Sequence, residues 1–404
     1  MKIDIFFTLA RALTILSRPL LLLFIISQEN LKIPSEKIAL FFTISATLFQ
    51  FLNCDSHRNY FKEYFNKKKR GLNISFIYKQ YIDFLIGISF VLFFPIFIIN
   101  VYIFKSIIIS FGFTFMIIFE KNADEFLRFN LYKKDFRRWS FFSILMHPLP
   151  VLMTIIFFYF FQINILKIYT LCSVISYLSL LIYHYQNILI IDSSLFKKVK
   201  NTIRIYFQRA LYTTLNIASG HTLIITRYLI LFTDKDFFPL YVLLMNVVSG
   251  IPTIVDMFYT TYRRKNFVFN SLEAFEIVKN KKFLKILFFG FSACLCSSIL
   301  LLWYKELLLF KSIQLSAIIN MIAVLYTINL IFYESLYWQK KIIYRLYVEV
   351  SFYTSILFLM FLNYFFSFNI LEVLIFVLII KLIRIFLTQM FLKTKLTINE
   401  DPLK

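Results

Sequence analysis

Long apolar stretches alternate with polar connections along the whole chain. Stretches such as Phe84 to Ile99, Val151 to Phe161 and Ile370 to Ile380 are dominated by aliphatic and aromatic residues. A helix needs about 20 mostly apolar residues to cross the hydrocarbon core of a bilayer. By this criterion the sequence predicts an all-α polytopic membrane protein with about twelve transmembrane helices, centred near residues 17, 45, 92, 112, 151, 178, 221, 248, 294, 323, 358 and 381.

The composition supports this prediction. Of the 404 residues, 60% are hydrophobic and only 16% are charged, whereas a soluble domain carries about 25% charged residues. A water-soluble core could not absorb so many apolar stretches. The composition therefore excludes an ordinary soluble enzyme or binding domain.

The connections between the predicted helices differ sharply in charge. Five long connections hold 28 Lys and Arg residues and comprise residues 54–80, 120–139, 192–210, 260–285 and 334–349. Six short connections hold 7 Lys and no Arg and comprise residues 28–37, 100–106, 162–167, 233–239, 304–312 and 363–369. The positive-inside rule places the basic set, and with it both termini, in the cytoplasm. The net charge of +22 is then mainly an orientation signal with some attraction to anionic membrane lipids, and no nucleic-acid partner is expected.

The two halves of the chain resemble each other, which predicts an N-terminal six-helix lobe over residues 1–200 and a C-terminal six-helix lobe over residues 201–404. The lengths of the connections correspond, and the same tripeptide opens the first span of each half, Arg11-Ala-Leu and Arg209-Ala-Leu. Six spans return the chain to the same side of the membrane, so the pattern favours a parallel repeat.

Polar residues within the predicted spans are candidates for substrate binding, because a charge near the bilayer centre costs about 2.5–3.5 kcal/mol on insertion scales. Arg18 and Arg227 lie deepest. An alternative for the arginines near the cytoplasmic boundary is that they reach to the lipid headgroups, and stripes of Ser, Thr and Asn can simply bond neighbouring helices. The further candidates are Arg11, Arg58, Asn216, His221 and Asn246.

Asp256 and Glu120 are candidates for ion coupling, since each lies at the cytoplasmic end of a predicted span and a carboxylate in a low-dielectric site can bind a proton. The alternative is that each is paired with a nearby Lys or Arg at the interface. The sequence has no phosphate-binding GxxxxGK[ST] loop, no metal or cofactor signature, and outer connections of about ten residues or fewer. A transporter is therefore predicted rather than an enzyme.

One local motif resembles a known family. The run Thr226-Arg227-Tyr228-Leu229-Ile230-Leu231, followed by Tyr241, is similar to the Asp-Arg-x-x-Ile…Tyr stretch of bacterial polysaccharide flippases, with O-antigen flippases looking closest. These belong to the multidrug/oligosaccharidyl-lipid/polysaccharide exporter superfamily. The chain departs from the pattern in that Thr226 replaces the usual acid and no Gly precedes Tyr241.

The resemblance implies two six-helix lobes around a cationic cavity lined by spans one, two, seven and eight. It implies a protein of the bacterial cytoplasmic (inner) membrane that moves a lipid-linked oligosaccharide on polyprenyl pyrophosphate to the outer leaflet by alternating access, for O-antigen and lipopolysaccharide biosynthesis. The partners it implies are that substrate, membrane lipids, and a polysaccharide polymerase with its chain-length machinery. Two alternatives remain open, an ion-coupled small-molecule efflux transporter and a membrane-embedded glycan-assembly enzyme.

Overall fold

The structure is a computed structural model. It describes residues 5–28, 31–53, 75–132, 135–185, 200, 203–204, 210–253, 255, 271–304, 309–338 and 341–393. Over these ranges the chain forms α-helices joined by short turns, and it contains no β-strand. The chain divides into two compact units. Unit 1 comprises Met1–Ile224 with Phe238–Leu243, and unit 2 comprises Ile225–Phe237 with Leu244–Lys404. The predicted lobe boundary at residues 200 and 201 stays a prediction.

The predicted fold class is confirmed: the protein is an all-α, multi-pass membrane protein. In the described part of the chain, seven helical segments are long and apolar enough to cross a membrane, and one of them, Phe136–Phe161, comprises two consecutive helices. Large apolar side chains point away from the protein, including Phe94 at 70% exposure, Phe160 at 78% and Phe288 at 70%. Exposed apolar surface on this scale is suited to lipid rather than water.

The number of spans can be compared with the prediction helix by helix. Each of the twelve predicted centres falls within a helix. Helices over residues 32–53, 107–132 and 370–393 are 22, 26 and 24 residues long. At 1.5 Å per residue, such lengths match about 30 Å of hydrocarbon even though the helices carry charges. The total of twelve therefore stays a prediction.

Eight helices begin and end within the described residues of unit 1. They are α1 (Ile5–Ser27), α2 (Lys32–Asn53), α3 (Ser75–Phe104), α4 (Ile107–Tyr132), α5 (Phe136–Met146), α6 (Pro148–Phe161), α7 (Ile165–Tyr185) and α8 (Ala210–His221). Aromatic rings fill much of the core, as where Phe113 of α4 lies 4.2 Å from the ring of Phe41 and 4.3 Å from that of Phe104. Such offset and tilted ring contacts add to the stabilisation from burial alone.

Unit 2 contains the remaining described helices, the first half of α10 excepted. They are α9 (Ile225–Thr233), α10 (Phe238–Val248), α11 (Ser271–Lys279), α12 (Lys281–Tyr304), α13 (Leu309–Trp338), α14 (Ile342–Phe366) and α15 (Ile370–Lys393). Helix α15 packs against both α13 and α14.

Two predicted spans are interrupted. The fifth span divides at His147 into α5 and α6, because Pro148 and Pro150 follow at once and a proline ring cannot donate the backbone hydrogen bond that would continue a helix. The seventh span divides at Thr222–Ile224 into α8 and α9. Asn216 and Arg227, which the sequence places on one predicted span, therefore lie on two helices, α8 and α9.

Three short turns close with a residue in the left-handed backbone region. Gln162 ends α6 at φ 50° and donates its N–H to the carbonyl of Phe158 at 3.0 Å, and Ser367 ends α14 in the same way at φ 48°. Lys105, after α3, has φ 50°. Left-handed closure satisfies carbonyls of the last helical turn and lets the next helix begin within a few residues.

Candidate functional site: buried charges between helices

Unit 1 contains a partly buried ion pair between two residues that the sequence singled out for different roles. The guanidinium of Arg18 on α1 pairs with the carboxylate of Glu120 on α4, and their side chains are 23% and 3% exposed. The guanidinium also lies 5.2 Å from the ring centre of Phe42 and 5.8 Å from that of Phe49, both on α2. Three helices therefore converge on one cation.

The charges continue along α4. Lys121 Nζ lies 2.7 Å from Glu125 Oε1 and 3.5 Å from Asp124 Oδ2. The hydroxyl of Tyr81 on α3 donates a hydrogen bond to the carboxylate of Glu125. We call Arg18, Glu120, Lys121, Asp124 and Glu125 the N-terminal ion-pair cluster. With two cations and three carboxylates it is acidic by one charge, and helical spacing along α4 is what brings these side chains together.

Two further predicted residues of unit 1 make specific contacts. His221 Nε2, at the end of α8, lies 2.6 Å from Thr47 Oγ1 on α2. The guanidinium of Arg11 lies 5.2 Å from the ring centre of Trp139 on α5. A cation over an indole face is stabilised by the ring quadrupole, so Arg11 has a packing role in addition to any contact with headgroups.

Arg227 and Asn246, both predicted from sequence, are brought together in unit 2. Arg227 on α9 is 6% exposed, and its Nη2 donates a hydrogen bond of 2.9 Å to Asn246 Oδ1 on α10. A guanidinium presents its N–H donors in a planar fork. The pair is suited to hydroxyl or phosphate oxygens.

The densest set of buried charges in the described part of unit 2 was not predicted: the sequence assigns Arg345 and Glu349 to the connection 334–349, whereas the structure places them on α14. Arg345 and Glu349 lie on α14, Lys381 and Arg384 on α15, and none of the four is more than 3% exposed. Arg384 Nη2 lies 2.5 Å from Glu349 Oε1. We call these four residues the C-terminal basic cluster. With three basic side chains and one carboxylate its formal net charge is +2.

Aromatic rings surround the C-terminal basic cluster. The Arg345 guanidinium lies 4.6 Å from the ring centre of Tyr333 on α13, and Lys381 Nζ and the Arg384 guanidinium lie 5.3 Å and 5.0 Å from that of Phe352 on α14. Desolvated cations over aromatic faces are stabilised by roughly 2 kcal/mol or more. The rings therefore help to hold a positive potential among apolar helices.

A local sequence signal for this cluster exists. Arg345 and Glu349 are four residues apart, and Lys381 and Arg384 are three apart, each on one face of a hydrophobic helix. Such spacing puts charges side by side within a span. The sequence does not show that α14 packs beside α15. This packing brings Arg345 and Glu349 together with Lys381 and Arg384.

The remaining predicted residues cannot be placed. Arg58, Asp256 and the side chain of Asn216 lie outside the described residues, so their proposed roles stay predictions.

No family model matches this sequence, and no curated protein matches it. Two solved structures are similar to it in fold. One is the outward-facing conformation of a multidrug resistance MATE family transporter of the MOP superfamily, with 10% identity, TM-score 0.42 and 95% coverage of both chains. The other is a MOP superfamily transporter from Pyrococcus furiosus, described as having a binding pocket of reverse polarity, with 9% identity, TM-score 0.46 and coverage of 96% of this chain and 92% of that one.

Proposed function

We propose that this protein is a transporter that moves an anionic lipid-linked oligosaccharide, carried on polyprenyl pyrophosphate, from the inner to the outer leaflet of the bacterial cytoplasmic membrane. The observation that carries the proposal is the C-terminal basic cluster, in which three cations and one carboxylate are buried between apolar helices. Charged residues within membrane helices are costly, and they usually mark substrate or ion pathways.

The sign of the charge indicates the class of substrate. Burying three cations against one carboxylate leaves a positive potential in a low-dielectric setting, where electrostatic interactions are much stronger than in water. Arginine binds phosphate oxygens through two parallel hydrogen bonds. A pyrophosphate group is therefore the favoured ligand, and an organic cation is disfavoured.

Other described residues supply what a glycan carrier needs. Arg227 and Asn246 present donors and acceptors suited to sugar hydroxyls. In unit 1, Glu120 paired with Arg18 offers a carboxylate that can exchange a proton during a transport cycle. We infer that the C-terminal basic cluster attracts the substrate and that the Arg18–Glu120 pair links its movement to an ion gradient.

The test uses the purified full-length protein in proteoliposomes that contain a fluorescent oligosaccharide linked to a short polyprenyl pyrophosphate. Transfer between leaflets is followed by quenching with a membrane-impermeant reagent. Lys381→Met lowers the net charge of the cluster from +2 to +1 and leaves the Glu349–Arg384 pair intact. We expect transfer to slow at least about tenfold, because a hydrogen bond to a charged group contributes about 1.5–3 kcal/mol.

A charge-matched control distinguishes attraction of the substrate by the cluster's net charge from stabilisation of the fold by its ion pair. The double variant Glu349→Gln/Arg384→Gln removes one charge of each sign, so the net charge stays at +2, and we expect it to slow transfer less than Lys381→Met does. Lys282→Gln, at an exposed position, controls for loss of any lysine. Transfer at the wild-type rate by Lys381→Met contradicts the proposal. Uptake of a cationic dye without glycan transfer favours small-molecule efflux instead.

A further inference from the structure

Unit 1 has a second feature that the proposed transport cycle does not use, a groove between α5, α6 and α7. Its volume is about 790 Å³, within the range of about 300–1,000 Å³ that is usual for ligand sites. Arg137 and Arg138 line it at the start of α5, and Met153, Phe157 and Cys172 line it on α6 and in the first half of α7. The groove therefore has a basic end and an apolar body.

The sequence explains why there is space here. On α7, the residues facing the groove recur at helical spacing, and three of them are small, Cys172, Ser176 and Ser179. The opposite wall divides at His147 between α5 and α6, and residues on both sides of this break line the groove. Small side chains facing an interrupted helix leave room that aromatic side chains would otherwise fill.

The groove opens towards the lipid rather than towards the core of unit 1. Phe141 is 56% exposed, Ile175 is 56% exposed and Tyr183 is 50% exposed, and all three line it. Since these residues lie on spans that cross the membrane, acyl chains are the surrounding solvent. The contents of the groove are thus drawn from the bilayer.

The basic end carries the charge that identifies the ligand. Arg137 and Arg138 are both exposed, and Arg138 Nε lies 3.4 Å from Asp135 Oδ2. Two cations and one carboxylate leave one net positive charge at this end. Basic pockets between membrane helices on the cytoplasmic side bind anionic headgroups, and the connection containing both arginines belongs to the predicted cytoplasmic set.

The length of the groove fits one leaflet. Along α7 it runs from Tyr183 to Cys172, about 17 Å at 1.5 Å per residue, close to half of the roughly 30 Å hydrocarbon core. We propose that the groove binds an anionic phospholipid of the cytoplasmic leaflet, with its phosphate at Arg137 and Arg138 and one acyl chain beside Ser176 and Ser179. The proposal is independent of the substrate that the protein transports.

Native mass spectrometry of the full-length protein tests this site, with dioleoylphosphatidylglycerol and dioleoylphosphatidylcholine as probes. We expect the wild type to retain the anionic lipid roughly tenfold more strongly. Arg137→Gln/Arg138→Gln should lower its retention to that of phosphatidylcholine. Ser179→Leu should lower retention of both lipids, because the larger side chain occupies the acyl channel.

The matched control is Lys200→Gln/Arg204→Gln, which removes two exposed basic residues of another predicted cytoplasmic connection that does not line the groove. It should leave the preference unchanged. Equal retention of the two lipids by the wild type overturns the proposal, as does an equal loss in this control. Displacement of phosphatidylglycerol by polyprenyl phosphate at lower concentration also overturns it, since the groove would then belong to the substrate tail.

Discussion

Arg18 of α1, which is partly exposed, and the buried Glu120 of α4 form one ion pair, although they lie 102 positions apart in the chain. The sequence suggested Arg18 for substrate binding and Glu120 for ion coupling. Their contact links substrate binding to ion coupling, because protonation of Glu120 would release the Arg18 guanidinium. A change at the carboxylate can therefore alter the cation that a substrate meets.

The first prediction concerns the stability of this pair. Arg18→Met leaves Glu120 buried without its counter-charge. Loss of one partner from a fully buried pair costs about 3–5 kcal/mol, and we expect a loss towards the lower end of this range because Arg18 is partly exposed. The double variant Arg18→Met/Glu120→Leu removes both charges and should recover most of the lost stability. Thermal unfolding in detergent micelles measures both, with exposed Lys167→Met as the control. Equal loss in the single and double variants would contradict an ion pair.

The second prediction concerns coupling. If Glu120 exchanges the transported proton, wild-type transfer in proteoliposomes should respond to an imposed pH gradient. Transfer by Glu120→Gln should proceed without this response, because Gln can accept a hydrogen bond from Arg18 but cannot titrate. A wild type that ignores both pH and sodium gradients would rule out coupling at this residue. Downhill transfer, drained by polymerisation outside, would then be the better account.

The third prediction tests the close contact between α4 and α7. A Cβ atom added at Gly112 would lie 2.5 Å from Thr170 Cγ2, so Gly112→Ala should destabilise unit 1 by about 1–3 kcal/mol through overpacking. Thr170→Ser removes that methyl group and keeps a hydroxyl that can bond the carbonyl of Leu166, as Thr170 does. The combination Gly112→Ala/Thr170→Ser should regain much of the thermal stability. A stable Gly112→Ala protein would show that the helices can separate freely here.

The fourth prediction concerns Arg227 and Asn246. Arg227→Ala should reduce glycan transfer while protein abundance stays near normal, and Arg227→Lys should restore it only partly because lysine lacks the planar fork. Asn246→Ala should reduce transfer less, since the arginine remains. Transfer in proteoliposomes and abundance by immunoblot are read together. Full transfer by Arg227→Ala would remove this pair from the substrate path.

The fifth prediction is topological. With the native cysteines replaced by serine, single cysteines at Gln162 and Asn369 should react with an impermeant maleimide from outside, and one at Lys282 only after the membrane is opened. All three positions are exposed, so access to the protein surface does not limit labelling. Labelling of Lys282→Cys from outside would overturn the orientation and the six-plus-six arrangement together.

The sequence predicts the helices of this protein well, because a membrane span is a local property of about 20 consecutive residues. Stretches such as Phe84 to Ile99 lie within helices near their predicted centres. The positions at which these spans are interrupted were harder to predict. Pro148 and Pro150 mark one break plainly, whereas the break at Thr222–Ile224 is preceded by Gly220, which disfavours a helix much less strongly than proline does.

The charged sites were only partly predictable, for a different physical reason. Arg18, Glu120 and Arg227 could be selected as costly charges within apolar stretches, but their partners depend on which helices are neighbours. The C-terminal basic cluster shows this most clearly, since Lys381 and Arg384 lie on α15, whereas Glu349, the ion-pair partner of Arg384, lies on α14. Which helices are neighbours depends on packing between residues that lie far apart in the chain. A local sequence pattern does not contain this information.

The separation between charged partners has a consequence for biosynthesis. Polypeptide chains are synthesised at about 5–20 residues per second. Arg18 and Glu120 are 102 positions apart, so Glu120 is synthesised roughly 5–20 s after Arg18. Glu349 and Arg384 are only 35 positions apart, so Arg384 is synthesised about 2–7 s after Glu349. The first helix therefore has to be sheltered by the insertion machinery, or to remain near the headgroups, until α4 arrives. Unit 1 should depend on such assistance more strongly than unit 2.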